Sequence, residues 1–286
     1  GYCSFDHYQS QSPDEPLAIG GFLPIEKVYS YDPVPASLNA DEKKFIMGVQ
    51  ANVWTEYIPA FSQVQYMIFP RMAALAEVAW CETANKNFDF FMERLQTHLQ
   101  LLDQMKIHYA KSIFEIHYQL NRNPGGEGLL LSLSTLQKNV IIKYNYTQND
   151  TEVPKIYAKP VPVYSGIYFY SQDQSGRMLS HGELHFDNNL AFGKNITLRK
   201  PPSSSYNTGG DLTLVDGIKG RTPWIGSEWL GFSGDTLDVI IDLGKTIPVS
   251  EVSFNYLHDH GSWIYAPSSV KVMVSDDGKN FREACI

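Results

Sequence analysis

The chain has 286 residues, about two domains' worth at ~150 residues each. With 43% hydrophobic and 19% charged residues, it has neither the composition of a disordered polypeptide nor that of a charged tail. The formal net charge of -8, with no basic cluster to offset it, excludes a sequence-independent grip on nucleic acid.

Aromatics reach 13%, with 17 Tyr, 15 Phe and 5 Trp. Aromatic faces among few charges suit neutral ligands such as sugars better than phosphates, although any single aromatic more often packs a core or a sheet. Cys3, Cys81 and Cys285 are too far apart for a metal knuckle, and three cysteines do not make a disulfide framework. No apolar run approaches the ~20 residues of a membrane-spanning helix, and no signal peptide opens the chain. Residue 1 is not Met and the opening residues already read as the inside of a motif, so both ends are expected to be cuts.

The first region, residues 1–111, reads as extended segment, long loop, short strand and helices. Phe45-Ile46-Met47-Gly48-Val49 is a buried strand candidate leading into Gln50-Ala51-Asn52-Val53-Trp54-Thr55-Glu56. Residues 64–80 have a helical apolar face (Met67, Ile68, Met72, Leu75, Ala76, Ala79), with a kink or fresh start expected at Pro70. Residues 88–105 carry Phe91, Leu95, His98, Leu99 and Leu102 at helical spacing. One βα unit followed by another helix suits an α/β barrel or a wound sheet.

Residues 112–200 lose the helical period. Short strands are expected at 129–133, 140–144, 155–157 and 167–170, between Asn, Gly, Pro and Asp clusters, giving a small antiparallel sandwich. Pro201-Pro202-Ser203-Ser204-Ser205 reads as a linker. Residues 201–286 are all-β again, with strands expected at 238–243, 249–256 and 270–274. The last sandwich looks unfinished where the chain stops.

Several linked phrases of the first region resemble the end of the catalytic barrel of family 20 glycoside hydrolases, the β-N-acetylhexosaminidases. They are Phe5-Asp6-His7-Tyr8-Gln9, Gly20-Gly21-Phe22-Leu23-Pro24, Lys27-Val28-Tyr29-Ser30, residues 48–56, and Phe69-Pro70-Arg71 continuing into Ala74-Leu75-Ala76-Glu77-Val78-Ala79-Trp80. They cover about a third of the chain, in order. The resemblance implies the C-terminal part of a (β/α)8 TIM barrel, whose strand-to-helix loops build the substrate pocket. It makes Trp54 a wall of the box around an N-acetyl group, and Glu56 and Asp6 acceptors for sugar hydroxyls. The residue types fit those tasks, since a carboxylate only accepts hydrogen bonds and an indole face suits C–H surfaces. Pattern alone leaves open a core Trp54 and a solvated Glu56. Ser4 stands where the family usually has a Tyr that holds the acetamido carbonyl, and Tyr2 is a candidate stand-in.

The implied chemistry is substrate-assisted: the acetamido oxygen attacks the anomeric carbon, an Asp orients it and a neighbouring Glu protonates the leaving oxygen. In the family that pair follows a His-x-Gly-Gly phrase. Asp14-Glu15 and Asp41-Glu42 do not follow one, and Asp41-Glu42 reads as the first turn of a helix capped near Asn39. No catalytic residue is therefore expected within this sequence, which by itself is expected to be inactive.

The last region resembles a coagulation factor 5/8 type C (discoidin-like) domain, a galactose-binding-like jelly roll, through Leu214-Val215-Asp216-Gly217, Trp229-Leu230-Gly231-Phe232, residues 239–244, Trp263-Ile264-Tyr265-Ala266-Pro267 and Val274-Ser275-Asp276-Asp277-Gly278. Glycan-binding candidates there are Trp224, Arg221 and His258-Asp259-His260. No cofactor is expected, apart from a structural calcium near Asp216 that this fold class sometimes holds, and no catalytic metal. The middle region resembles the spacer sandwich of bacterial multidomain hexosaminidases, Gly193-Lys194-Asn195-Ile196-Thr197-Leu198 being its best phrase. The sequons at Asn145, Asn149 and Asn195 matter only in a eukaryotic secretory pathway, and the domain order looks bacterial.

The expected parent is thus an exo-acting β-N-acetylhexosaminidase, periplasmic, outer-membrane-associated or secreted, whose partners are glycans with terminal N-acetylhexosamine. The alternative is a non-catalytic carbohydrate-binding protein with a degenerate barrel.

Overall fold

The computed structural model describes residues 2–146, 153–222, 224 and 226–284. The chain divides into two compact units. The first comprises residues 1–117, 134–141 and 171–181, and the second residues 118–133, 142–170 and 182–286.

In the first unit β1 (Tyr2–Ser4) pairs in parallel with β2 (Gln50–Asn52), Ser4 opposite Asn52. Between them lie α1 (Ile25–Ser30) and the single-turn α2 (Ala40–Lys43). The α2 turn has the expected cap: the Asn39 side chain accepts from Asp41 and Glu42 N–H, and the Glu42 carboxylate accepts from Asn39 N–H. The strand expected at residues 45–49 falls elsewhere. Phe45 and Met47 are exposed, and the extended pairing begins only at Gln50. An apolar run without a partner strand has no ladder to join, and here the backbone partner of β1 is the more polar Gln-Ala-Asn.

The helix expected over residues 64–80 is two: α3 (Phe61–Ile68) and α4 (Arg71–Trp80), separated at a cis Phe69–Pro70 bond. Proline at 70 has no N–H to continue the ladder. α5 (Phe88–Gln104) starts where the Asn87 side chain accepts from Phe90 N–H. It buries Phe91, Met92, Leu95, Leu99 and Leu102 at three- and four-residue spacing. These join Cys3, Phe5, Ile25, Val28, Tyr29, Ala74 and Leu75 in one apolar core. Asp6 thus follows directly from a core residue, Phe5.

The expected strands of the middle region are found as β4 (Leu129–Thr135), β5 (Ile141–Asn145), β6 (Lys155–Ile156) and β8 (Gly166–Gln172). Three more complete them: β3 (Ile116–Arg122), β7 (Val161–Val163) and β9 (Met178–His185). They form two sheets, in the orders β3-β4-β7 and β6-β5-β8-β9. Leu129, Leu131, Val161, Val163, Ile167 and Phe169 are buried while their neighbours alternate outward, the pattern of sheets each covered on one face.

β10 (Asn195–Leu198), within the phrase read as the end of the middle region, pairs antiparallel with β11 (Val239–Asp242). A boundary at residue 200 separates the members of this pair. Farther on, β12 (Met273–Val274) pairs antiparallel with β13 (Arg282–Glu283), and Asp259 and Ile264 form an isolated antiparallel bridge. Residues 249–256 form no strand, and of residues 270–274 only the last two do; Val249, Val252, Phe254 and Tyr256 lie exposed, without the buried face that holds an alternating segment in a sheet. Among the described residues no helix is long and apolar enough to cross a membrane.

Candidate functional site

Because β1 and β2 are parallel neighbours, the chain leaves both at the same edge. Phe5 N–H still bonds Asn52 C=O at 2.8 Å, after which the first strand turns and carries Asp6. Trp54 and Glu56 come two and four residues after β2 ends. The three sequence-predicted site residues therefore emerge from the C-terminal ends of two adjacent strands, where βα loops assemble ligand sites in parallel sheets. Trp54 is 61% exposed and packs in no core; Glu56 is exposed as well. Asp6 is only 6% exposed, and among the described residues its Oδ1 is a buried acceptor with no protein donor. β1 ends at Ser4, so strand alternation does not extend to Asp6, and the Tyr2 side chain lies outside the described residues.

The Asp6 turn is held by Arg71, the last residue of the Phe69-Pro70-Arg71 phrase, whose role is not readable from the sequence. Its side chain is fully buried. One terminal nitrogen donates to His7 C=O at 3.1 Å and Leu23 C=O at 3.0 Å, Nε donates to Met67 C=O at 3.2 Å, and the other terminal nitrogen reaches Phe5 C=O. The guanidinium also lies over the Phe5 ring, 4.9 Å from its centroid. Carbonyls on both sides of Asp6 are thus fixed to one rigid fork. Burial lowers the Arg71 pKa to about 10, against the opposing charges of Glu15 and Asp6. The signal in the sequence was an arginine opening an apolar helix, with Leu75 four residues on where a pairing acid would stand.

The Gly20-Gly21 phrase belongs to the same assembly. Leu23 N–H bonds Tyr8 C=O at 2.8 Å, and Gly21, at φ +68°, brings its backbone so close to His7 that a Cβ would sit 2.6 Å from Nδ1. His7 is itself held below its usual pKa, chiefly by burial.

Asp14-Glu15 is no catalytic pair. Asp14 is exposed, whereas Glu15 turns inward and accepts from Gln9 N–H at 3.0 Å and Tyr66 OH at 2.6 Å. Burial raises its pKa despite these donors. Next to it in the loop, Ser10 OH donates to the Glu115 carboxylate at 2.7 Å, and burial pushes that group up to about 7. Ser10, Tyr66 and Glu115 stand in no motif, and Gln9 closes the Phe5–Gln9 phrase with no role readable from the sequence; together the four tether the segment that follows Asp6. Asp41-Glu42 is used in the α2 cap.

In the last region Arg221 pairs with Glu228 at 2.9 Å, and Trp224 stands edge-on to Tyr206 at 5.5 Å. Asp259 is spent on its own turn, accepting from Gly261 N–H and Ser262 OH, while the His258 and His260 rings lie 4.5 Å apart. Asp216 accepts from Ile218 N–H at 2.8 Å, and burial pushes it up to about 7. Among the described residues no group of three or more His, Cys, Asp or Glu is gathered to hold a metal. Asn149 and Cys285 lie outside the described residues. A cavity of about 410 Å³, lined by Glu77, Trp80, Cys81, Asn85, Asn87, Phe90 and Arg94, shares no residue with the Asp6 assembly.

Residues 1–83 match the model of the glycosyl hydrolase family 20 catalytic domain. The chain is similar to a beta-hexosaminidase of Porphyromonas gingivalis, at 36% identity over 163 residues, which are 55% of this chain and 20% of that protein. It is also similar to a beta-N-acetylhexosaminidase of Cellulomonas fimi, at 28% identity over 96 residues, 34% of this chain and 19% of that one. Among solved structures, a GH20 exo beta-N-acetylglucosaminidase from Vibrio harveyi in complex with N-acetylglucosamine matches at 34% identity, covering 38% of this chain and 17% of that one, with a TM-score of 0.34. The GH20 beta-N-acetylhexosaminidase from Streptomyces coelicolor matches at 26% identity over 39% and 22%, with a TM-score of 0.35. The matched part thus spans only 20% and 19% of the first two relatives, but the 163-residue alignment is longer than the 83-residue family match, so the likeness to the Porphyromonas protein runs beyond the catalytic-domain match.

Proposed function

We propose that this chain supplies part of the sugar pocket and the accessory regions of an exo-acting β-N-acetylhexosaminidase, a hydrolase removing terminal GlcNAc or GalNAc from glycans. The observation that supports the reading best is the buried Asp6 Oδ1 without a protein donor, at the strand edge from which Trp54 and Glu56 also emerge. A buried acceptor left open in an otherwise well-bonded turn suits a ligand hydroxyl. The match of residues 1–83 to the family 20 catalytic domain points the same way. In this reading Asp6 and Glu56 accept from hydroxyls of the terminal sugar and Trp54 faces its N-acetyl group.

The reaction is retaining and substrate-assisted: the acetamido oxygen displaces the leaving group at the anomeric carbon, and water then opens the resulting ring. The orienting Asp and the proton-donating Glu are contributed by a part of the protein outside these 286 residues, since Asp14-Glu15 and Asp41-Glu42 serve a tether and a helix cap. We assign residues 1–111 to a TIM-barrel portion, 112–200 to a sandwich spacer and 201–286 to a discoidin-like domain. The protein acts in the periplasm, at the outer membrane or outside the cell.

The test is release of p-nitrophenol from its N-acetylglucosaminide by the whole protein that carries this sequence. Activity in the whole protein and none in this polypeptide alone is expected. An inactive whole protein would sink the reading in favour of a binding module.

A further inference from the structure

The outer face of the sheet β6-β5-β8-β9 carries a second feature with the chemistry of a sugar contact. Along β8 the odd residues Ile167 and Phe169 are buried, which turns Gly166, Tyr168 and Tyr170 outward. Phe186 N–H bonds Ser165 C=O, and a Cβ on Gly182 would strike the Phe169 ring at 2.6 Å. These contacts set the register of β8 against β9: Gly166 lies opposite His185, and Tyr168 opposite Glu183. The first pairing agrees with His185 Nδ1 lying 3.4 Å from a Cβ built on Gly166. Tyr146, just beyond β5, completes the wall.

These residues enclose a depression of about 290 Å³ lined by Tyr146, Ser165, Gly166, Ile167, Tyr168, Glu183 and His185. Its floor exists because Gly166 has no side chain. Its walls are braced: Tyr146 meets Tyr144 edge-on at 5.7 Å and Tyr164 at 5.8 Å, Lys155 Nζ lies 5.6 Å above the Tyr146 ring, and Tyr168 lies 6.1 Å from Tyr170. At the rim Glu183 and His185 are 2.8 Å apart, so the carboxylate and imidazole are mutually oriented. Pre-set rings lose little conformational freedom when a ligand arrives.

We propose that this depression binds one pyranose unit of a neutral glycan, as a carbohydrate contact that shares no residue with the Asp6 pocket. A sugar presents a C–H face to an aromatic ring and hydroxyls to a carboxylate and an imidazole, and both sets of groups are here. The size, at the small end of the ~300–1,000 Å³ of small-ligand sites, fits a sugar ring rather than a protein segment. No Lys or Arg lines it and a carboxylate does, which disfavours phosphates and sulfates. The choice of an N-acetylated probe rests on the proposed function; the site itself does not.

The experiment is calorimetric titration of the full chain with N,N′-diacetylchitobiose, cellobiose and glucose 6-phosphate. Saturable binding of at least one neutral disaccharide and none of the phosphate is expected. Gly166→Val fills the floor and Tyr168→Ala removes a wall, and each is expected to weaken binding about tenfold or more, with Glu183→Gln weakening it about fivefold. Circular dichroism checks folding; if Tyr168→Ala unfolds, Glu183→Gln and Gly166→Val carry the test. Absence of binding to every neutral sugar, preference for the phosphate, or full affinity in the folded Gly166→Val and Glu183→Gln proteins overturns the proposal. Because the readout is binding and the site shares no residue with Asp6, Trp54 and Glu56, hydrolytic activity can fail while this site stands, and the reverse.

Discussion

The Arg71 guanidinium donates to the His7 carbonyl at 3.1 Å and also reaches the Phe5 carbonyl, so the carbonyls of the residues on either side of Asp6 hang from one buried side chain. Arg71→Leu leaves four carbonyls without their donor in a site closed to water. A loss of at least ~3 kcal/mol in urea denaturation of the intact protein is expected. Arg71→Lys keeps the charge without the fork and should fall between the two. A Leu variant as stable as the parent would show that the Asp6 turn holds itself.

Asp6→Asn tests the pocket with little change of volume. Its Oδ1 has no protein donor to lose, so the urea midpoint is expected to shift much less than in Arg71→Leu. Weakened acceptance from substrate should lower kcat/KM by about 5- to 150-fold in the whole protein, the kinetic equivalent of ~1–3 kcal/mol. Unchanged kcat/KM removes Asp6 from the sugar pocket.

Glu56→Ala should cost the same order in kcat/KM, while Glu26→Ala on α1 should cost far less. Equal effects would place Glu56 outside the pocket.

Glu115 gives the first unit a pH-dependent term. Its carboxyl titrates near 4.5 when free and at about 7 in the fold, raised chiefly by burial against the Ser10 hydrogen bond. A raised folded pKa means that folding takes up a proton, so the stabilisation is full below the free value and is lost as pH rises through about 7. Urea midpoints of the parent should fall between about pH 5 and 8. Glu115→Gln cannot ionise and should show a shallower fall, ending as the more stable protein at the alkaline end. Parallel curves would mean that Glu115 is solvated.

Gly21→Ala places a methyl against the His7 ring and forces a side chain onto a φ of +68°. The expected loss is ~1–3 kcal/mol, read from thermal or urea melts. A neutral substitution would mean that the loop has room to move away from His7.

By itself the sequence determined the features whose causes are local. The α5 stripe from Phe91 to Leu102, the break at Pro70, the Asn39 cap and the alternating strands around Leu131 and Phe169 all follow from periodicity, a missing N–H or a side-chain acceptor within three residues. Asp6, Trp54 and Glu56 stood out because they sit in phrases shared with a family. Only the tertiary structure decided what depends on a distant partner. An apolar run at residues 45–49 stayed exposed because the backbone partner of β1 is Gln50–Asn52. Glu15 became a buried tether because Tyr66, far along the chain, supplies its donor. Arg71 came to hold the Asp6 turn because four carbonyls from three separate segments converge on one fork. Spacing along a chain encodes which side chains share a face, but a buried polar group is decided by which distant donor or acceptor reaches it, and that is a property of the folded chain alone.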